Sequence, residues 1–187
     1  SGVLRLLEAV GDVRVVQGVR VGRGDWLQYD WMEQTVLLRG RASVADSGVI
    51  LHGEQFSGRA GDAGRLVCEP NAWLEWDPLD EAQDGADVRA RQAILNRSDG
   101  SVRFEGSVRV RGVYGALNCE KLMLQLKEVS ELDWLRAESG VVFQYGDVMA
   151  KAEDMYYKLS QDTLTLRGLP RVMQGRSVVR ADEIQVW

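Results

Sequence analysis

Cysteine, histidine and proline are scarce in this 187-residue chain, at two, one and three residues, so stapling, metal ligation and enforced chain breaks have little to work with. Cys68 and Cys119 lack the close spacing of a zinc or thioredoxin-like pair, which leaves one disulfide or two buried thiols. Positive charge is also in deficit: 23 Lys and Arg against 28 Asp and Glu give a net charge of −5, so no nucleic-acid partner is expected. Most of the basic residues are Arg, whose planar fork suits phosphate and carboxylate groups, but they are scattered along the sequence. No apolar run approaches the roughly eighteen residues of a membrane-spanning helix, and no charged-then-apolar leader opens the residues given, so they read as a soluble segment.

What is present is alternation. Val13 and Val15, Val19 and Val21, and Leu27, Tyr29 and Trp31 follow the strand period of two. Turn signals at Gly11-Asp12, Asp46-Ser47-Gly48, Ser98-Asp99-Gly100, Gly146-Asp147 and Gly175 punctuate the whole chain. Strands of about six residues joined by short turns imply roughly 16 to 18 of them in an all-β fold. Lys127 to Glu138, with Val129, Leu132 and Leu135 in one stripe, reads equally as a turn of helix or a strand connection. The segment from Glu69 to Arg89 breaks the pattern with two of the prolines and dense carboxylates: Trp73 and Trp76 read as ending a strand or capping an open edge, Pro78 onward as solvated loop, and the whole as an acidic loop insertion near 69–88 in a single domain spanning 1–187.

The pattern also repeats. GDWLQYDWMEQTVLLRG, from Gly24, aligns without a gap on AEDMYYKLSQDTLTLRG, from Ala152; a third return strand is SVRFEG from Ser101, and CEKLML at Cys119 and ADEIQV at Ala181 are partial copies of the first strand. The return strands start at Thr35, Ser101 and Thr163, offsets of 66 and 62, or two units of about thirty residues each. One such unit cannot bury its own apolar face, so neighbours must stack into an elongated shared interior. Leu27 and Tyr29, Leu122 and Leu124, Met155 and Tyr157, and Ile184 and Val186 are equivalent, as are Val36 and Leu38, Val102 and Phe104, and Leu164 and Leu166; alternation puts each pair on one side of its strand.

Candidate chemical sites are thin. His52 and Glu54 share a strand face, but no Ser or Cys nucleophile motif accompanies them. Trp73, Glu75, Trp76 and Asp77 would suit a sugar platform with paired carboxylates, the alternative reading being a β-sandwich carbohydrate-binding or glycoside-acting protein. Gly22-x-Gly24 is followed by strand where a phosphate loop needs a helix, and Asn96-Arg97-Ser98 is a sequon too short to weigh. Neither a catalytic residue, a metal nor a cofactor is expected.

The run GDVMAKAEDMYYKLSQDTLTLRGLPRVMQGRSVVRADEIQVW, from Gly146, resembles the OstA-like repeat of lipopolysaccharide-transport proteins; GDVRVVQGVRVGRGDWLQYD, from Gly11, and more weakly RARQAILNRSDGSVRFEGSVRVRG, from Arg89, follow the same pattern. The resemblance implies an elongated, folded-over β-jelly-roll of stacked antiparallel rungs, non-enzymatic and periplasmic, with any membrane anchor or outer-membrane association supplied by segments outside these residues. It implies a lipopolysaccharide or other acyl-chain lipid as partner, held in an apolar groove lined by Leu27, Tyr29, Leu38, Phe104, Leu122, Leu124, Met155, Tyr157, Leu166 and Ile184. Arg103, Arg109 and Arg111 are candidates to meet its phosphates. Terminal strands near Val13 to Val21 and Val178 to Trp187 are expected to be open edges, available to related β-modules or further copies of the chain.

Overall fold

The computed structural model describes residues 5–46, 49–59, 64–76, 85–113, 115–127 and 131–186. They form 16 strands: β1 Leu6–Gln17, β2 Arg20–Asp30, β3 Thr35–Asp46, β4 Val49–Arg59, β5 Arg65–Glu69, β6 Ala72–Trp76, β7 Ala86–Ala90, β8 Gln92–Asn96, β9 Ser101–Gly112, β10 Gly115–Leu126, β11 Leu132–Tyr145, β12 Val148–Lys158, β13 Thr163–Arg167, β14 Arg171–Gln174, β15 Ser177–Arg180 and β16 Glu183–Val186. A single 3-10 turn, Leu159–Gln161, is the one helical element among the described residues. All strands belong to one sheet, and every pairing is antiparallel.

The short strands are halves of longer lines. β4 pairs with β5 through its second half and with β6 through its first, and β9 pairs likewise with β8 and β7. β12 in turn pairs with both β13 and β14. The meander therefore runs through lines of about a dozen residues, each bent at its middle. The bend has a local cause. Every second line carries left-handed backbone there: Gly11 (φ 84°), Gly40 and Arg41 (75° and 45°), Asn71 (61°), Gly106 and Ser107 (84° and 51°), Ser139 and Gly140 (65° and 67°), and Gly168 and Leu169 (80° and 56°). Ladder registers slip at these places, as between Val10 and Val13, Arg39 and Ala42, and Glu138 and Val141. A positive-φ pair is a bulge that re-aims the strand, and repeating it at one level folds the whole sheet over into two facing walls. At a spacing of about 4.8 Å per strand, the result is roughly 50 Å long.

The interior lies between the walls. First-wall residues such as Leu27, Phe56, Phe104 and Leu166 and second-wall residues such as Leu51, Leu74, Val88 and Leu117 form one buried cluster. The elongated, folded-over all-β architecture is thus as expected.

Two stretches left open are resolved. Lys127 to Glu138 holds no described helix: β11 begins at Leu132 and continues past the candidate stripe, because Leu132 and Leu135 pair across strands with Leu126 and Leu124. Within 69–88 a strand does end at Trp76: β6 and the first residues of β7 occupy part of the interval, interrupted from β5 at Pro70 and Asn71. Residues 77–84 lie outside those described. The edges are β1 at one end and β15 and β16 at the other; β2, which includes Val21, is paired on both sides.

Candidate functional site: the interior between the walls

Cross-strand register organises the first wall into rows. One row passes from strand to strand through Ala9, Leu27, Leu38, Phe56, Cys68, Ala93, Phe104, Leu122, Ala137, Met155, Leu166 and Ile184. Two residues nearer the strand ends, a parallel row includes Tyr29, Val36, Leu95, Val102, Leu124, Leu135, Tyr157 and Leu164. All ten residues expected to line a groove fall on these two rows, on the inward side of one wall. Sequence alignment of the repeats found them because equivalent positions of a repeat become neighbours in a ladder.

The rows differ in depth. The first is closed, with Leu166 and Phe104 at 0% and Leu122 at 1% exposure, and only its terminal members are more open. The second is half-buried at Tyr29, Val36, Leu95, Leu135, Tyr157 and Leu164, so apolar surface reaches solvent along the lip of this wall. At that lip the Tyr157 hydroxyl donates to Asp162 Oδ1 at 2.8 Å, and the Tyr29 ring meets Trp31 edge-on at 4.6 Å. The polar tip of Tyr157 thus points outward and its apolar body inward. The second wall completes the enclosure with a row that includes Val44, Leu51, Leu74, Val88, Val110, Leu117 and Phe143.

Phe56, 2% exposed and in the middle of the deep row, was missed, because the segment from Val49 was never aligned with the repeat. A signal was available. A small residue and an acid stand at the bend of most of the lines between those with left-handed backbone: Gly24-Asp25, Gly53-Glu54, Cys119-Glu120, Ala152-Glu153 and Ala181-Asp182. Two residues beyond the acid, Leu27, Phe56, Leu122, Met155 and Ile184 all enter the deep row. The acids tie the bend together: Asp25 accepts from Arg41 at 2.7 Å, Glu54 from the Asn71 amide at 2.7 Å, and Glu120 from the Ser107 backbone N–H at 3.4 Å. The Arg41 guanidinium holds the Asp25 carboxyl below the usual carboxylate range.

Arg103, Arg109 and Arg111 are exposed on β9 and alternate with the inward Val102, Phe104, Val108 and Val110. They stand on the outer faces, not beside the half-buried lip of the first wall. The sugar-platform residues are divided too. Trp73 faces outward while Trp76 packs against the core from the other side of the sheet. The Trp73 ring is flanked by His52, stacked at 4.9 Å, and by Arg89, 5.2 Å from its centroid, which occupies the faces a sugar would need. His52 Nε2 lies 3.2 Å from Glu75 Oε2 rather than pairing with Glu54, and Asp77 lies outside the described residues. Both cysteines are free and buried, three strand lines apart, which is beyond disulfide reach. Burial pushes each thiol up to about 12. No group of side chains fit to hold a metal occurs among the described residues.

A folded-over antiparallel sheet with a continuous apolar interior defines a class of stacked β-jelly-roll modules. The LptA/(LptD N-terminal domain) LPS transport protein family matches residues 87–186, more than half of the chain, and the chain belongs to that family. No curated protein sequence matches it. Among solved structures it is similar to the crystal structure of LptH, the LptA homologous periplasmic component of the conserved lipopolysaccharide transport device from Pseudomonas aeruginosa, with 12% identity and a TM-score of 0.51 over 72% of this chain and 82% of that one. At that identity the likeness is one of fold.

Proposed function

We propose that this module of lipopolysaccharide transport works in the periplasm as a non-enzymatic carrier, taking the acyl chains of lipopolysaccharide between its walls. The observation that carries the reading is the half-buried apolar lip row lying beside the closed deep row: chains enter where Tyr29, Leu135 and Tyr157 stand, and displace wall-to-wall contacts further in. Burying about ten methylenes is worth roughly 8 kcal/mol, enough to offset much of the association cost and still permit handover. The open edges at β1 and at β15 and β16 suit pairing with related β-modules or further copies, which would make neighbouring interiors continuous. Photo-cross-linking to lipopolysaccharide from probes at Leu124 and Phe104, set against Gln125 and Arg103, tests the carrier reading. Labelling confined to Leu124 and Phe104 is expected; equal labelling of both sets, or none at the inner pair, would mean a closed core.

A further inference from the structure

The two outer faces treat charge differently. On the first wall, acids and bases are interleaved: Lys121 is opposite both Glu105 and Glu138, Arg167 is opposite both Asp154 and Glu183, with Arg167 Nε 2.6 Å from Glu183 Oε2, and where Glu138 meets Asp154 the Arg136 guanidinium lies 3.0 and 2.8 Å from the two carboxylates. This is the arrangement that stabilises a solvated sheet face. On the second wall, the outward row nearest the bend contains no acid at all. Arg14 is directly opposite Arg23, and Arg89 is directly opposite Arg109. Lys151, Arg171 and Arg180 follow one another across three strands. His52 and Trp73 continue the same row, joining Ser43 to Arg89. All seven cationic residues are exposed, and only Arg89 has a described carboxylate within ion-pair distance, Asp87 at 3.5 Å. Like charges directly opposite one another destabilise a sheet, and this row holds no acid to offset its cations as Arg136 offsets the facing Glu138 and Asp154 on the other wall.

We propose that this row is a second binding surface, outside the second wall, for the phosphate-bearing headgroup of the amphiphile whose chains the interior takes. The inference rests on the carrier reading. Facing residues whose Cβ atoms stand about 5 Å apart let their cationic ends converge on one phosphate, which they grip with charge-assisted hydrogen bonds. The row lies a few residues, or roughly 10 Å, from the strand ends, within reach of a sugar headgroup standing out over the edge of the wall. Its groups fall into separate clusters along the long axis, parallel to the interior rows. A headgroup passing along the module would therefore meet one cluster after another while its chains move inside.

Neutralising one cluster tests this without adding new charge. The variant Lys151→Gln, Arg171→Gln, Arg180→Gln should bind lipopolysaccharide roughly a hundredfold more weakly at low salt, at about a factor of five per cation near an anionic headgroup. Its melting temperature should hold or rise, since repulsion is relieved. A control with equal charge loss in the matching row of the first wall, Arg39→Gln, Lys121→Gln, Arg167→Gln, should bind within about twofold of wild type, a surface away from the headgroup contributing little. Lipopolysaccharide stripped of its headgroup phosphates should not distinguish the cluster variant from wild type. Equal weakening in both variants, or a difference that survives phosphate removal, overturns the proposal. Labelling at Phe104 that persists while the cluster variant binds normally overturns the row and leaves the interior reading standing. Absent labelling with the phosphate-dependent loss intact does the reverse.

Discussion

Single side chains set how tightly the bend closes. A Cβ at Gly53 would overlap the Cys68 sulfur, whose thiol donates to the His52 carbonyl at 3.3 Å, so β4 and β5 approach more closely than any other residue at position 53 allows. Gly53→Ala is expected to cost about 1–3 kcal/mol by overpacking, read from the urea midpoint; an unchanged midpoint would mean that the strands separate freely here. The buried thiols give a pH signature of definite sign. Each has its folded value raised from 9.0 to about 12, so the folded chain holds protons that the unfolded chain releases. Their contribution is complete below pH 9 and falls away as pH climbs through the interval from 9.0 to about 12. Stability that falls across that interval, and alkylation of Cys68 and Cys119 by iodoacetamide only in denaturant, are the expected results; labelling of the native protein would show that the interior opens to solvent. That these cysteines are thiols rather than one bridge was not legible in sequence, where both states fit, because their separation is set by how many strand lines stack between them.

At the scale of the strand, the period of two and the repeat were enough to place most lines and all ten apolar positions on the inward side. They could not show where a line is broken. β5 and β6 are halves of one line split at Pro70 and Asn71; Trp73 and Trp76 read as a strand end, but the prolines and carboxylates around them hide that this strand completes the line begun by β5. The stretch from Lys127 stays open between helix and strand connection for a different reason: Leu132 and Leu135 satisfy helical spacing while pairing with β10, and pairing across strands decides which period applies. The bends offer an element-level test. Gly168 has φ 80°, and a Cβ there would lie 2.5 Å from the Glu153 Cβ, whereas Gly140 has φ 67° with open space around it. Gly168→Ala should therefore lose roughly 1–3 kcal/mol, combining left-handed strain with a side-chain clash. Gly140→Asn should lose less than about 1 kcal/mol, since Asn tolerates that backbone region. Equal losses would show that the neighbouring Glu153 contributes nothing to the constraint.

Over the whole molecule, the rows predict how two copies would join. β1 and the line formed by β15 and β16 run antiparallel to one another in the stacking order, and each has one unpaired side. If a second copy adds its β1 to the far end while keeping both interiors continuous, Val15 must stand opposite Val179 of its neighbour, because these two valines end the same second-wall row. Both are exposed, at 37% and 56%, as residues awaiting such a neighbour would be. In-register partners on antiparallel strands have Cα atoms about 5 Å apart, within disulfide range. The double variant Val15→Cys, Val179→Cys should therefore form covalent dimers and longer chains under mild oxidation. A shifted pair, Val15→Cys with Ser177→Cys, should form far fewer, since a displacement of two residues is about 7 Å. The native thiols do not compete, being buried and held protonated. Equal yields from both pairs would indicate random collision, and no cross-linking at concentrations where sedimentation shows association would place the contact elsewhere than on these edges.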